Sequence, residues 1–406
     1  MNVILTTLFG IEALTAEELI GLGYPREQLI LSDGQVRLDP GTGPDAFSRA
    51  IQAVARLNIG VRTAERVLVE LASFPAADFN ALFDQTRALP WEDWIPTGAA
   101  FTVAGYSRKS ALYGIPACQS LIKKAIVSRL LAVQGRSPDS QLAEDPAMGF
   151  LRIQFGIVAD RVSMMVDTSG DGLHKRGYRR LRHEAPIKET LAAAMLMVSR
   201  FAPFSDEALV DPCCGSGTIP IEAALLACRL APGLNRSFAG EKWPLIGESP
   251  FRLAREEAMA ATDLKASGQP FIFGSDLSEQ AIKFAGTNAK RAGVEAFIGW
   301  KTADLKTLNK PRLTDWTGFS RHLVIGNPPY GERLLDLEQA EAIYRALGQN
   351  YLDRGLAAEG IRLSIITPHE RFETLVGGRA DKRRKLYNGM IRCTLFHYFK
   401  QRRNIS

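Results

Sequence analysis

The second half of this 406-residue chain alternates short apolar runs with longer helical patterns, and no other feature constrains the fold as strongly. Helical patterns begin near Gly217, Ser278 and Leu337. Continuous apolar strands separated by helices are typical of a parallel sheet that is covered on both faces. We therefore predict a doubly wound α/β domain from about Gly170 onward. The strand-like runs are Ala208–Pro212, Phe271–Asp276, Phe297–Ala303, His322–Pro328 and Ile361–Pro368.

The first 165 residues or so show shorter and more mixed elements, which indicate small α+β units. Asp33-Gly34 stands between two apolar segments and predicts a hairpin turn over Leu29–Leu38. The other predicted strands are Val3–Leu8, Arg66–Phe74, Phe101–Ser107, Leu151–Val158 and Arg161–Thr168. The predicted helices are Ile11–Leu22, Ala46–Leu57 and Pro116–Val133. We place the boundary between the halves in Asp167–Gly177 and an insertion of the second half at Leu230–Pro270.

Composition excludes several classes of protein. An apolar share of 46% and a charged share of 23% are typical of globular proteins rather than disordered or fibrous ones. The apolar run Leu191–Val198 falls far short of the ~18 residues of a membrane span, and Glu12 interrupts the N-terminus where a secretory signal would continue. Five cysteines without a C-x-x-C pair, and scattered histidines, predict reduced thiols and no metal site. We expect a cytoplasmic protein that does not bind a membrane.

Two stretches concentrate the positive charge of the chain, whose formal net value is +6. Arg371–Ser406 holds ten Lys and Arg against two acids, and His174–His183 holds five without an acid. A solvated basic face explains either stretch alone. Two such stretches in one chain favour a phosphate backbone as the partner.

A glycine-rich loop, Asp211–Thr218, follows the first apolar run of the second half and opens a helix. Gly215 and Gly217 allow a ligand to approach the backbone closely. A phosphate-binding Walker loop would need a lysine, and a nicotinamide loop would need a third glycine where Pro220 stands. The Asp211 carboxylate instead suits the ammonium and sulfonium of S-adenosylmethionine, although a strand–helix turn without a ligand is the alternative.

Acidic residues also follow the next two apolar runs. Asp276 stands where a carboxylate can accept hydrogen bonds from both hydroxyls of a ribose, while Ser278 caps the following helix. Asp304 can accept from an adenine amino group, and Leu305 would cover the ring. Each acid alone could equally be a loop or capping residue. Their positions after successive strands favour one shared site.

The tetrapeptide Asn327-Pro328-Pro329-Tyr330 follows the fourth run. Prolines remove two N–H donors and stiffen the loop, which leaves the Asn327 side-chain oxygen and the Pro328 carbonyl as acceptors. Two acceptors that hold the hydrogens of an exocyclic amino group localise its lone pair, and Tyr330 offers a flat face to a base outside its stack. Direct attack on a methyl group needs no enzyme nucleophile, so we assign no catalytic role to Cys213 or Cys214. A Pro-Pro turn with a surface tyrosine is the alternative.

These motifs together resemble the THUMP-domain rRNA N2-guanine methyltransferases, which are class I S-adenosylmethionine-dependent enzymes often labelled N6-adenine-specific DNA methylases. The resemblance implies a Rossmann-like class I methyltransferase domain, with a mostly parallel sheet and a C-terminal antiparallel strand. It also implies an N-terminal α+β ferredoxin-like and THUMP part, with domains at 1–65, 66–168 and 169–406. The matching segments are Arg108–Lys124, Thr168–Arg179, Ala185–Ala193, Asp211–Thr218 and Asn327–Leu334.

The resemblance implies methyl transfer to an amino nitrogen of a base, N2 of guanine in 23S rRNA, with rRNA as the partner. Adenine N6 in DNA, glutamine in protein and a non-catalytic RNA-binding assembly factor are the alternatives. Some relatives carry a second methyltransferase module, and relatives with one module need not share their target. The implied catalytic residues are Asn327, Pro328, Pro329 and Tyr330. The implied cofactor residues are Asp211, Cys213, Gly215, Gly217, Thr218, Asp276, Leu277, Asp304, Leu305 and Asn327. The implied RNA-binding residues are Lys123, Lys124, Lys175, Arg176, Arg179 and Arg333.

Overall fold

The computed structural model describes residues 1–179, 187–263, 270–331 and 337–401 and divides the chain into two compact units. The main division falls between Leu173 and His174, but each unit also takes a segment from the other side of it. The first unit comprises Met1–Thr7, Ala16–Leu173 and Arg236–Ala258. The second comprises Leu8–Thr15, His174–Asn235 and the described residues from Met259 onward.

A seven-stranded sheet forms the centre of the first unit. Its order is β2-β3-β1-β4-β7-β6-β5, and every neighbouring pair is antiparallel except β5 with β6. The strands are β1 (Asn2–Thr7), β2 (Leu29–Ser32), β3 (Gln35–Leu38), β4 (Ala64–Pro75), β5 (Ala99–Arg108), β6 (Asp145–Val158) and β7 (Arg161–Asp167). The helices along this part of the chain are α1 (Glu12–Gly21), α2 (Ala46–Gly60), α3 (Phe79–Arg87), α4 (Trp91–Trp94) and α5 (Ile115–Val133).

The sequence patterns do not predict helices α3 and α4. Asp78 caps α3, since its side chain accepts a hydrogen bond from the Ala81 N–H at 2.8 Å. Trp91 is fully buried, and its Nε1 donates to the Thr86 carbonyl at 2.7 Å. Burial of the indole therefore holds a four-residue helix that its own length could not stabilise.

The segment predicted as an insertion of the second half lies largely in the first unit. Within Arg236–Ala258, Trp243 is buried and packs edge-on against Trp94, with ring centroids 6.4 Å apart. The Gly240 N–H donates to the Thr168 carbonyl at 2.9 Å. These contacts join residues far apart in sequence, which periodicity alone does not reveal.

The second unit contains a seven-stranded sheet of order β10-β9-β8-β11-β14-β16-β15. Its first five strands are parallel, while β16 runs antiparallel to both β14 and β15. This arrangement confirms the predicted class I fold with a mostly parallel sheet and an antiparallel C-terminal strand. The strands are β8 (Glu207–Asp211), β9 (Ile272–Asp276), β10 (Ile298–Thr302), β11 (Arg321–Gly326), the short pair β12 (Leu352–Asp353) and β13 (Leu356–Ala357), β14 (Ile361–Thr367), β15 (Lys382–Asn388) and β16 (Ile391–Tyr398).

Helices cover both faces of this second sheet. One core includes Leu191, Ile219 and Ala289, and the other includes Leu313 and Tyr344. Chain order reverses between β8 and β11, which is the point where doubly wound sheets bind ligands outside the carboxyl ends of their strands. The helices along this part of the chain are α6 (Glu189–Val198), α7 (Thr218–Ala227), α8 (Glu248–Ala260), α9 (Glu279–Ala292), α10 (Lys310–Thr317), α11 (Leu337–Tyr351) and α12 (Phe372–Val376). Of these, α8 lies almost wholly in the first unit. In the described part of the chain, no helix is both long and apolar enough to cross a membrane.

Two arginines that the resemblance assigns to RNA are buried ion-pair partners. The Arg176 Nε lies 3.5 Å from the Glu222 carboxylate, which also accepts from the Tyr178 hydroxyl at 3.0 Å. The Arg179 side chain is 9% exposed and bonds Glu189 at 3.0 Å. The assignment of Arg176 and Arg179 to RNA is corrected: their guanidinium groups compensate carboxylates inside the protein, so they do not face a phosphate backbone.

We expect Arg176→Ala to lower the free energy of unfolding by about 3–5 kcal/mol, because Glu222 would keep a buried charge without its cation. Urea unfolding followed by circular dichroism measures the change. Lys175→Ala is the matched control, since Lys175 is exposed and its truncation should cost less than about 0.5 kcal/mol. Equal losses in the two variants would contradict the structural role of Arg176.

Candidate active site

The loop Asp211–Thr218 joins β8 to α7 through two glycines in the left-handed region. Gly215 has φ +52° and Gly217 has φ +82°, which side-chain-bearing residues rarely adopt. A Cβ on Gly217 would lie 2.8 Å from Trp300 and 2.9 Å from Ala285, so close packing also demands glycine there. A Cβ on Gly215 would meet nothing within 4 Å, so this side of the loop is open to a ligand.

Hydrogen bonds tie the glycine loop to the end of β9. The Cys214 N–H donates to the Ser275 carbonyl at 2.8 Å, and the Gly215 N–H donates to Asp276 Oδ2 at 2.9 Å. The other oxygen of Asp276 accepts from the Ser278 N–H at 2.9 Å. An ionised carboxylate has about four acceptor positions, so Asp276 keeps capacity for further hydroxyl donors while it holds the loop.

Asp211 is a buried acid at the end of β8. Its side chain is 2% exposed and accepts one hydrogen bond from the Cys213 N–H at 3.1 Å. Burial, together with the nearby charge of Asp276, raises the pKa of Asp211 to about 8. The carboxyl group is therefore largely protonated at neutral pH, and a cation placed beside it would favour its ionised form.

The third strand end carries Asp304, which caps a short helical turn by accepting from the Lys306 N–H at 2.9 Å. Backbone pairing of Ala303 with Asp276, at 2.9 Å, brings this turn beside the end of β9. Leu305 is only 6% exposed and packs in the core, so its side chain offers little surface to cover a ring. Leu277 is 74% exposed and is the larger apolar surface beside Asp276.

The loop after β11 is held by the hydroxyl of its own tyrosine. Tyr330 Oη donates to Asn327 Oδ1 at 2.5 Å and accepts from Asn388 Nδ2 at 3.3 Å. Tyr344 Oη donates to the Pro329 carbonyl at 3.2 Å. Burial raises the pKa of Tyr330, so its hydroxyl stays protonated and acts as a donor. Asn327 Oδ1 retains its second lone pair for another donor.

The glycine loop and the loop after β11 meet at Cys213. Its sulfur lies 3.2 Å from the place where a Cβ on Gly326, the residue before Asn327, would stand. Burial raises the pKa of the Cys213 and Cys214 thiols, which keeps both protonated and unsuited to nucleophilic attack. The structure thus brings together the four segments that the sequence singled out, at the carboxyl edge of the second sheet.

Other predicted residues have more mixed surroundings. Lys123 pairs with Glu144 at 3.0 Å, while Lys124 and Lys175 are exposed. Thr218 is buried, and its hydroxyl accepts from Arg179 at 3.2 Å. Arg333 lies outside the described residues, as do the basic residues Arg180, Arg182, Arg402 and Arg403. Among the residues that the structure describes, no group of His, Cys, Asp and Glu could hold a metal ion.

Sequence reasoning did not identify Asn388 and Tyr344, which fix the Asn327–Tyr330 loop. Asn388 ends β15 and precedes a two-residue turn that begins with Gly389. Glycine at the first central position of such a turn is a hairpin signal, so the sequence did contain a clue to this element. Tyr344 lies in α11 within an ordinary amphipathic pattern, which carries no such clue.

Three family models match successive parts of the chain. Residues 176–397 match the family described as RMKL-like, methyltransferase domain. Residues 76–167 match the THUMP domain, and residues 2–68 match the RlmL ferredoxin-like domain. The chain belongs to the RMKL-like methyltransferase family.

Relatives of this RMKL-like chain include the "Putative RNA methyltransferase YpsC" of Bacillus subtilis (strain 168), which is 37% identical over 98% of this chain and 96% of its own. The "Ribosomal RNA large subunit methyltransferase K/L" of Syntrophotalea carbinolica is 32% identical over 96% of this chain, which spans only 52% of that protein. A solved structure of SMU.472, "a putative methyltransferase complexed with SAH", superposes with a TM-score of 0.82 at 35% identity over 99% of both chains.

The cofactor of this RMKL-like methyltransferase is S-adenosylmethionine. The residues of the site fit it, because its cationic end needs an acid and its adenosine needs hydroxyl acceptors and apolar cover. Asp211 supplies the buried acid, Asp276 the acceptors and Leu277 an exposed apolar surface, beside the open face of Gly215. These individual assignments remain predictions.

Asp211 makes cofactor binding dependent on pH. Its raised pKa means that a bound cation should release about one proton near pH 7, so affinity should rise between about pH 6 and 9. Isothermal titration calorimetry in buffers of different ionisation heat measures the released proton. Asp211→Asn should bind weakly and release none, whereas Asp353→Asn, an exposed control, should match the wild type.

The raised pKa of Asp211 also predicts how the stability of the cofactor-free protein changes with pH. A group whose folded pKa is raised stabilises the fold at low pH, and that contribution is lost as pH rises through about 8. The melting temperature of Asp211→Asn should therefore rise relative to that of the wild type as the pH increases. If the difference in melting temperature between the two proteins stayed constant from pH 6 to 9, a buried, protonated Asp211 would be contradicted.

Proposed function

We propose that this protein methylates an exocyclic amino nitrogen of a base in RNA, and that the target is N2 of guanine in 23S rRNA. The main support is the acceptor-rich loop of Asn327 beside the Asp211 loop. The RNA-directed names of the relatives and the THUMP match support RNA as the substrate class.

The chemistry is direct transfer to nitrogen. S-adenosylmethionine supplies an electrophilic methyl group on a sulfonium when it is bound. Asn327 Oδ1 and the Pro328 carbonyl accept hydrogen bonds from the two hydrogens of the amino group, which localises the lone pair on the nitrogen. One of these hydrogens leaves to solvent as a proton once the nitrogen is methylated. This positioning accounts for most of the acceleration, because reactants held in line avoid a large entropic cost.

Tyr330 has two tasks in this proposal. Its protonated hydroxyl fixes the Asn327 amide, and the accessible part of its half-buried ring stacks against the target base. A base outside its stack is needed, since an amino group in a duplex is shielded from the loop.

We expect Asn327→Ala to lower turnover by at least ~100-fold with little change in cofactor affinity, because a positioned acceptor for the amino group is lost. Radiolabelled methyl transfer to 23S rRNA, tRNA, duplex DNA and a glutamine-bearing release-factor-like protein measures activity. Nucleoside mass spectrometry then identifies the modified base. Asn80→Ala, an exposed change on α3, is the control. Label confined to DNA or protein would refute RNA as the substrate, and an active Asn327→Ala would refute its role.

Tyr330→Phe and Tyr330→Ala separate the two tasks of the ring and its hydroxyl. Tyr330→Phe keeps the stacking face but frees the Asn327 amide, so turnover should fall by about 5- to 10-fold, the size of one hydrogen bond. Tyr330→Ala removes both and should approach the loss of Asn327→Ala. Single-turnover methylation rates measure these effects, and equal rates in Tyr330→Phe and the wild type would show that the hydroxyl is dispensable.

A further inference from the structure

The hairpin of β15 and β16 ends beside the proposed catalytic loop. Thr367, the last residue of β14, pairs with Thr394, so the residues of β16 before Thr394 extend past the carboxyl edge of β14. Asn388 pairs with Ile391 across the turn. From this position Asn388 donates to the Tyr330 hydroxyl, and the tip of the hairpin therefore adjoins the place where the target base is expected.

Large apolar side chains are exposed around this tip. Met390 is 97% exposed and Phe9 is 54% exposed. The ring of Phe9 packs edge-on against Tyr387, with centroids 6.2 Å apart. Gly10 allows this approach, because a Cβ there would lie 3.0 Å from the Lys385 carbonyl of β15. The Phe9 and Tyr387 rings thus form an aromatic patch, and Met390 adds an exposed apolar side chain at the turn.

Positive charge borders the same surface. Arg392 pairs across the strands with Tyr387, so the two side chains share one face of the hairpin. Lys385 lies two residues before Tyr387 and shares that face. Both Lys385 and Arg392 are exposed, and neither forms an ion pair with any residue that the structure describes. Their charges are therefore available to a polyanion.

We propose that Phe9, Lys385, Tyr387, Met390 and Arg392, named here the hairpin surface, bind the unpaired nucleotides that flank the target base. Aromatic platforms with adjacent cations are the combination that single-stranded nucleic acid needs, since bases stack on the rings and phosphates meet the charges. A protein partner would need its own acidic residues opposite Lys385 and Arg392, and it would not specifically need the paired rings of Phe9 and Tyr387. The inference rests on the proposed RNA substrate and extends it to a second contact region.

Such a contact would serve the chemistry directly. Removal of a base from its stack costs unpairing and unstacking energy, and this cost falls when the neighbouring nucleotides are also held single-stranded. Asn388, which contacts Tyr330, alternates with Tyr387 along β15, so the hairpin surface lies on the opposite face of the hairpin. It would hold the flanking nucleotides around the tip from Tyr330. A target in a loop or at a helix end of the RNA follows from this arrangement.

The test uses the full chain and a fluorescein-labelled single-stranded RNA of about 12 nucleotides and mixed sequence. Anisotropy titrations at about 50 and about 200 mM salt give the affinity and its salt dependence. The double variant Phe9→Ala/Tyr387→Ala should weaken binding by at least ~10-fold, the scale for lost base stacking. Lys385→Ala/Arg392→Ala should reduce the slope of log affinity against log salt by about 1.4, or ~0.7 for each lost phosphate contact.

Matched controls come from the opposite end of the same strand. Phe399 is 45% exposed and Lys400 is exposed beyond the end of β16, at the other edge of the sheet, so Phe399→Ala/Lys400→Ala should leave RNA binding unchanged. S-adenosylmethionine affinity and melting temperature verify that each variant is folded. The charge-only variant keeps the test valid if the aromatic variant is unstable.

The outcomes separate this inference from the proposed function. If the wild type methylates rRNA but both hairpin variants bind the probe and methylate rRNA like the wild type, the hairpin surface is wrong and the function stands. If the wild type methylates no RNA, the proposed function itself fails. If the controls weaken binding as much as the hairpin variants, the effect is general electrostatics and the assigned surface is refuted.

Discussion

The position of the site depends on how closely the backbone packs around Trp300. Its indole lies where Gly217 and Gly274 have no side chains: a Cβ on Gly274 would stand 2.4 Å from the ring, and one on Gly217 would stand 2.8 Å away. The ring thus holds β10, β9 and the glycine loop at a fixed spacing. That spacing lets the Gly215 N–H reach Asp276, and it sets the distance between the acids at the strand ends.

Much of the catalytic half could be predicted from sequence because its signals are local. Apolar runs gave β8 to within a residue at each end, and the motif Asp211–Thr218 marked a loop whose glycines do take positive φ. Charge was harder to interpret than apolarity. The basic stretch predicted that Arg176 lies on the surface, yet it pairs with Glu222, which lies 46 positions further along the chain on α7. A cation beside a distant carboxylate looks the same in a sequence as a cation in water.

Long-range packing explains the remaining errors. The segment around Trp243 packs in the first unit because Trp94 completes its environment, and no local pattern reveals this pairing. The hairpin of β15 and β16 lies within the basic stretch Arg371–Ser406. The many basic residues of that stretch suggested a surface and hid the strand pattern. Lysines and arginines on an edge strand are nevertheless common, since they prevent edge-to-edge association. The residues that orient Tyr330, notably Asn388, were missed for this reason.

The exchange of segments between the two units limits how such a chain can be divided. Ile11 and Leu14 come from the start of the chain but belong to the hydrophobic core of the catalytic unit, where they are 0% and 7% exposed. A fragment beginning at His174 would leave that core with a hole at the position of these two side chains. A rearrangement that exchanged the two halves of the chain as separate pieces would therefore expose Ile11 and Leu14 in one product and leave a cavity in the other.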